Sequence, residues 1–273
     1  VHWLRGAYGQ ALDYHRQALT IRRALNDRRS IALSLANIGR VHNDSGNFKA
    51  AIAQFREALD LRRDIGDMVG VVQSLGDLAG VHVADGHPRL ASDLLREART
   101  LAKETGDRLA LAEVLSRSGE ANAATGANDD AIADLLEAKH LAAGLGDRML
   151  LALTHGRLAM AYLGRGTSQA AEIEAESAIT VAETAGLRVQ VGWGHRILAE
   201  VFAAQGQAAR SDENFRKAID VLAVVRHELE LARAYRAYAA LKHAAGMVAD
   251  GQKLNSKSDE IFARLRGAAN TES

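Results

Sequence analysis

Residues 56–67 read REALDLRRDIGD, and related phrases stand forty residues away on either side. Residues 16–27 read RQALTIRRALND, residues 96–107 read REARTLAKETGD, and residues 136–147 read LEAKHLAAGLGD. Similarity at a fixed period is the signature of a repeat architecture, in which each repeat packs mainly on its neighbours. The fold is therefore predicted from this period.

Glycines mark the ends of the repeated segments. One row consists of Gly6, Gly46, Gly86, Gly126, Gly166, Gly206 and Gly246. A second row consists of Gly66, Gly106, Gly146 and Gly186, and an aspartate follows at Asp67, Asp107 and Asp147. Because glycine adopts a left-handed conformation without steric penalty, we expect both rows to end helices and the aspartates to cap the helices that follow.

The segments between these glycines have helical periodicity. In residues 29–45, Ile31, Leu35 and Ile38 share one face, and residues 47–65 repeat the spacing of three and four. This spacing is typical of an amphipathic helix, and no segment shows the alternation of a half-buried strand. We predict an all-α solenoid of stacked antiparallel helix hairpins with a period of 40 residues.

These rows resemble the tetratricopeptide repeat (TPR). The small residue of its first helix, helix A, is matched by Gly39, Ala79, Gly119, Ala159, Ala199 and Ala239. The aromatic residue of its second helix, helix B, is matched by Phe55 and Phe215. The common TPR period is about 34 residues, so this chain is more similar to the long-repeat branch. That branch includes LGN/Pins-type adaptors and the TPR regions of AfsR-type regulators, STAND ATPases and TPR-tailed kinases. The resemblance implies a right-handed TPR solenoid.

The register divides the chain into a single TPR array over residues 1–266. We expect a partial first repeat at 1–26 and a frayed tail at 267–273. Full repeats are predicted at about 28–66, 68–106, 108–146, 148–186, 188–226 and 228–266. Because the chain begins with Val1 inside a repeat, we expect it to be a piece of a longer protein.

Composition narrows the class of protein. The 273 residues are 48% hydrophobic and 25% charged, with a formal net charge of zero and no cysteine. We therefore expect a soluble protein without disulfides, a cytoplasmic location, and no nucleic-acid or membrane partner. No apolar run approaches the roughly 20 residues of a membrane helix. Arginine outnumbers lysine 27 to 7, which favours a GC-rich bacterial source.

The sequence contains no catalytic motif that we recognise. A phosphate-binding GxxxxGK[ST] loop is absent, and HELEL at 227–231 lacks the second histidine of a zinc protease. His2, His42 and His82 share the row in which TPRs carry an aromatic residue. We interpret them as packing residues, because successive hairpins about 10 Å apart separate them too widely to share a metal ion. We expect no enzyme activity, metal or cofactor.

Packing is the favoured interpretation for two further histidines, and a helix-dipole effect is the favoured interpretation for four arginines. His155 and His195 lie one helical turn from the predicted concave strip. Paired arginines recur at the ends of helix B, at Arg22, Arg23, Arg62 and Arg63. Cations at this position complement the helix dipole. The alternative is that an acidic partner or nucleic acid docks on these arginines.

The TPR resemblance implies that helix A lines a concave binding surface. Candidate binding residues on this strip are Asn37, Arg40, Asn43, Gln73, Asp77, Arg117, Glu120, Arg157, Met160, Trp193, Arg196, Glu200, Arg233 and Arg236. Trp3 and Glu113 fall on the same strip, and Asn37 matches the family asparagine that clamps a peptide backbone. Arginine binds carboxylates bidentately, and tryptophan and arginine are common hot spots. The alternative is that Arg117 pairs with Glu113 and Glu120 within its own helix.

We predict a non-catalytic scaffold that binds a protein or peptide segment, the recognition module of a larger bacterial signalling or regulatory protein. The alternative is an intramolecular sensor that holds a STAND-type ATPase, kinase or transcriptional regulator inactive, with its partner in another domain of the same chain. An enzyme has only scattered histidines in its favour. Self-assembly through the N-terminal hairpin is a further alternative, and the oligomeric state stays open.

Overall fold

The structure is a computed structural model that describes the backbone of residues 8–270 and the side chains of residues 8–265. These residues form thirteen α-helices and no strand. The helices are α1 Tyr8–Ala24, α2 Arg28–Asp44, α3 Phe48–Asp64, α4 Met68–Ala84, α5 Pro88–Thr105, α6 Arg108–Ala124, α7 Asn128–Leu145, α8 Arg148–Gly164, α9 Ser168–Thr184, α10 Arg188–Ala204, α11 Ala208–Val224, α12 Glu228–Ala244 and α13 Val248–Asn270. The all-α prediction is confirmed. Helix α13 extends into the predicted tail, whereas residues 1–7, with His2, Trp3 and Gly6, and residues 271–273 lie outside the described range.

The turns between helices follow the predicted glycine rows. Gly46 has φ 77° and Gly66 has φ 70°, both in the left-handed region. Where the second row lacks glycine, Asn26 and Arg226 still adopt left-handed conformations, with φ 52° and 55°. The turn geometry is therefore kept by the repeat even at Arg226, where a side chain makes it costly.

The aspartates after the second glycine row cap the next helices, as predicted. The carboxylate of Asp67 accepts a hydrogen bond from the N–H of Gly70 at 3.1 Å. Asp107 and Asp147 make the equivalent bonds, at 3.0 and 2.9 Å. Each bond satisfies a backbone donor that the first turn of a helix leaves unpaired.

The hairpins stack in sequence order, with helix A inside and helix B outside. The even-numbered helices α2 to α12 are the A helices, and each contacts the next A helix. Each also packs on the B helix that follows it. Small residues permit this packing: a Cβ at Gly39 would lie only 2.8 Å from the ring of Phe55. No helix within residues 8–270 is long and apolar enough to cross a membrane.

The solenoid closes on itself, a feature that the sequence did not predict. Helix α1 contacts α13. One hydrophobic cluster joins the buried side chains of α1–α6 to those of α12 and α13, while α8–α11 contribute to other clusters. Leu12 is 1% exposed. Burial raises the pKa of the Tyr8 phenol, and the charges of Asp44, Glu228 and Glu230 raise it further, so Tyr8 lies beside the start of α12.

The paired arginines at helix-B ends do more than complement a helix dipole. Arg62 is buried, and its Nη1 donates to the carbonyl of Gly70 at 2.8 Å and to the hydroxyl of Ser74 at 2.7 Å. Arg22 makes the same two bonds one repeat earlier. These arginines therefore fasten helix B to the next helix A. The second arginine of each pair is exposed and bridges to the next helix B, Arg23 to Glu57 and Arg63 to Glu97.

Candidate functional site

The inner helices surround a central cavity of 1280 Å³. Every A helix from α2 to α12 contributes side chains to its lining. The candidate residues that line it are Arg40, Asn43, Asp77, Arg117, Glu120, Arg157, Met160, Trp193, Arg196 and Arg233. The structure therefore brings together, around one space, residues that lie up to five repeats apart in the sequence.

The other four candidates lie off this lining. Gln73 lines a smaller, adjoining cavity of 140 Å³ together with Glu113. The side-chain oxygen of Asn37 accepts a hydrogen bond from Arg40 at 3.2 Å. Glu200 accepts a bond from Arg196 at 2.6 Å.

Arg236 lies against α13 rather than in the central cavity. Its guanidinium pairs with Asp259 at 3.2 Å and lies 4.4 Å from the centre of the Phe262 ring. The strip pattern placed it in the groove because helix A was assumed to present the same face in every repeat. In the last repeat, this position instead packs on the neighbouring B helix.

Ion pairs along the cavity wall connect neighbouring A helices, each of which forms one rung of the wall. Asp77 accepts from Arg40 at 2.9 Å and from Arg117 at 3.3 Å, and so links α2, α4 and α6. Arg157 on α8 pairs with Glu120 on α6 at 2.7 Å. Arg117 and Glu120 therefore find partners on neighbouring rungs, unlike the alternative in which they pair within one helix. Asp77 is only 8% exposed, whereas the Arg40 and Arg117 side chains are 39% and 34% exposed, so solvent screens this link in part.

The far end of the wall carries a nearly buried carboxylate, Glu230, whose side chain is 12% exposed. Burial alone would raise the pKa of Glu230, but the positive charges of Arg233 and Arg196 lower it below its ordinary value. Glu230 accepts from Arg233 at 2.7 Å, and the guanidinium of Arg196 lies 4.0 Å away. Within the described residues, Nε of Arg196 and Oε2 of Glu230 have no hydrogen-bond partner.

Apolar side chains form another part of the lining. The indole of Trp193 lies against Gly156 of the preceding rung, where any Cβ would overlap the ring. Leu153, Met160 and Leu163 line the same cavity beside it. Trp193 and Met160 were named as candidates from the sequence, whereas the other apolar residues at the strip positions of the A helices were not. Those that line the cavity include Leu153, Val83, Ala84, Ala123, Ala124, Leu163 and Gly164.

The four histidines that the sequence singled out within the described range lie within the packed layers. His42 and His82 are buried between helices, and burial, with nearby positive charge, lowers the pKa of each imidazole. His155 pairs with Glu174 at 2.6 Å, and His195 bonds a side chain of α11 at 2.9 Å. In the described part of the chain, no three His, Cys, Asp or Glu residues are grouped so that they could hold a metal ion.

Comparison with known proteins supports the repeat assignment. The Tetratricopeptide repeat family model matches residues 1–64, and the model for Anaphase-promoting complex subunit 5 matches residues 73–120. No curated protein matches the chain. The fold is shared with the apo form of RapI, at 12% identity and a TM-score of 0.73, covering 94% of this chain and 99% of that one.

Two further solved structures share the fold. A Rap protein complexed with competence and sporulation factor is 11% identical with a TM-score of 0.65, covering 94% of this chain and 86% of that one. A Pyrococcus horikoshii STAND protein with a tetratricopeptide repeat sensor is 15% identical with a TM-score of 0.64, covering 98% and 43%. At these identities the likeness shows the fold alone. Together with the family model, it confirms the resemblance to TPRs.

Proposed function

Because the chain folds as a TPR solenoid, we propose that it binds a peptide or protein segment in its central cavity. It acts as the recognition module of a larger, cytoplasmic, bacterial signalling or regulatory protein. The observation that carries this proposal is the cavity itself, 1280 Å³ in volume and lined by all six A helices. Its wall offers fixed polar groups and an apolar surface, a combination typical of ligand sites.

The ion-paired wall of the cavity favours the capture of a ligand. Ion pairs between rungs hold Arg40, Arg117 and Arg157 in place before any ligand arrives. A preorganised surface loses little conformational entropy on capture of a segment. The Rap protein complexed with competence and sporulation factor has the same fold, which is consistent with this use of the cavity.

A second candidate is an intramolecular sensor whose occupied or empty cavity controls a neighbouring domain. The fold likeness to the STAND protein favours it, because that protein carries a tetratricopeptide repeat sensor and extends well beyond the region matched here. Both candidates use the same cavity. They differ in whether binding there controls a neighbouring domain of the same chain.

Selection of peptides from a random display library tests the cavity assignment. We expect the unmodified chain to enrich defined peptides, and the variant Ala84→Trp, which fills the exposed lining of α4, to enrich none of them. Ala143→Trp, at an exposed position on the outer helix α7, is the matched control and should behave like the unmodified chain. Equal binding by all three proteins would show that the ligand site lies elsewhere.

Hydrogen exchange of the full-length protein separates the two candidates. If the array is a sensor, a selected peptide changes the exchange of a domain outside residues 1–273. If it is a scaffold, the change is confined to the array.

A further inference from the structure

The guanidinium groups around the central cavity already have carboxylate partners. The arginines of the lining are Arg40, Arg117, Arg157, Arg196 and Arg233. Their partners are Asp77, Glu120, Glu200 and Glu230, and Asp44 is a further carboxylate of the lining. Five carboxylates therefore match the five guanidinium groups, although Glu200 and Glu230 do not themselves line the cavity. The cavity lacks the excess of positive charge that an acidic ligand would need, in contrast to the expectation from the arginine-rich strip.

The same cavity has an apolar surface that is partly exposed. Trp193, Met160, Leu153 and Leu163 come from α8 and α10 and are each only partly buried by the protein. The indole is fixed in place, because its outer ring lies on Gly156 and leaves no room to move toward α8. A rigid indole that is already ordered loses little entropy when a ligand covers it.

We infer that the cavity selects its segment by a large apolar side chain seated against Trp193 and Met160. This inference rests on the proposed function and names the chemistry of its ligand. The segment is a peptide with a Leu, Ile, Met or Phe side chain at the anchor position and no requirement for acidic residues. Arg157 and Arg196 flank the apolar surface and bind the polar backbone of the segment while keeping their carboxylate partners.

The test uses a display library of random dodecapeptides, followed by synthesis of the enriched peptides with acetylated and amidated ends. Dissociation constants are measured by fluorescence anisotropy at about 50 mM and about 500 mM NaCl, which changes the screening of exposed charges severalfold. We expect a shared large apolar residue, with less than about a threefold change in Kd between the two salt concentrations.

The variant Trp193→Ala should weaken binding by about 30-fold, the effect of losing one hot-spot side chain. Met160→Ser provides a second, smaller truncation if Trp193→Ala proves unstable, and it should weaken binding by about fivefold. Ile173→Ala removes an apolar side chain that is 58% exposed on the outer helix α9, and it should leave Kd unchanged.

The outcomes separate this inference from the proposed function. Enriched peptides that share Asp or Glu, bind less tightly in high salt and tolerate Trp193→Ala would overturn the apolar anchor but keep the cavity as a peptide site. Failure of the unmodified chain to enrich any peptide counts against the proposed function as well. A shared apolar residue whose binding depends on Trp193 and Met160 is the expected result.

Discussion

The substitution His42→Phe should stabilise the protein, and more strongly at acidic pH. His42 is 6% exposed, and within the described residues its Nδ1 has no hydrogen-bond partner. A buried polar group without a partner costs about 1–3 kcal/mol. The same row holds Tyr162 and Phe202 in later repeats, so an aromatic ring suits this position. We expect His42→Phe to raise the free energy of unfolding by about 1 kcal/mol at neutral pH.

The pH dependence adds to this gain. Burial, followed by the charge of Arg16, lowers the pKa of His42 in the folded protein. The unfolded chain then binds the proton more readily, so the free energy of unfolding falls as the pH drops below about 6.5. At about pH 5.5, this one group lowers the free energy of unfolding by at most about 1.4 kcal/mol. The phenylalanine variant does not lose this stability, because its side chain does not titrate.

Thermal unfolding followed by circular dichroism at about pH 7.5 and about pH 5.5 measures both effects. One kcal/mol corresponds to a change in Tm of about 2–4 °C for a chain of this size. We expect the variant to gain about 2–4 °C at the higher pH and about twice that at the lower pH. His140→Phe, at an exposed position, is the matched control. A gain for His42→Phe that does not grow on acidification would refute the reasoning.

Three further predictions concern packing, turns and closure. Gly156→Ala should lower Tm, because overpacking against the Trp193 indole costs about 1–3 kcal/mol. The control Gly144→Ala should raise the free energy of unfolding by about 0.5–1 kcal/mol, because its added Cβ would lie 3.8 Å from the nearest atom, on Arg108. Arg226→Gly should stabilise by about 1 kcal/mol in urea unfolding by relieving the left-handed φ of 55°, and a loss of stability would contradict this explanation. Leu12→Ala should lower the free energy of unfolding by about 2–5 kcal/mol and should speed hydrogen exchange in α13 as well as in α1. The control Leu25→Ala, at a site that is 72% exposed, should have neither effect. Unchanged exchange in α13 would exclude the contact between α1 and α13.

The sequence predicted the helices and turns well because local chemistry specifies them. A glycine at position 46 or 66 provides the left-handed turn, and the aspartate at 67 caps the next helix, so each boundary is encoded within a few residues. Ion pairs between neighbouring A helices could also be predicted from the 40-residue period. Asp77 and Arg117 stand 40 residues apart, in one row on adjacent rungs.

Closure and the overall charge balance of the cavity were harder to foresee. The contact of α1 with α13 depends on small rotations that add up over six hairpins, and no single residue signals their sum. Tyr8 and Leu12 read as ordinary helix-B residues in the sequence. The arginine-rich strip suggested a site for carboxylates, because one of the carboxylates that neutralise it, Glu230, stands outside the strip.

The contact between α1 and α13 favours a particular number of hairpins between these two helices. In an open solenoid, a duplicated or deleted hairpin merely changes the length, because each unit touches only its neighbours. Here a gained or lost 40-residue unit would carry α13 past α1 or leave it short, exposing Leu12, Ile261 and Leu265 together. Insertion or deletion of a unit between α1 and α13 is therefore penalised in this molecule, and the width of the space lined by α2 to α12 is set by the number of hairpins between those two helices.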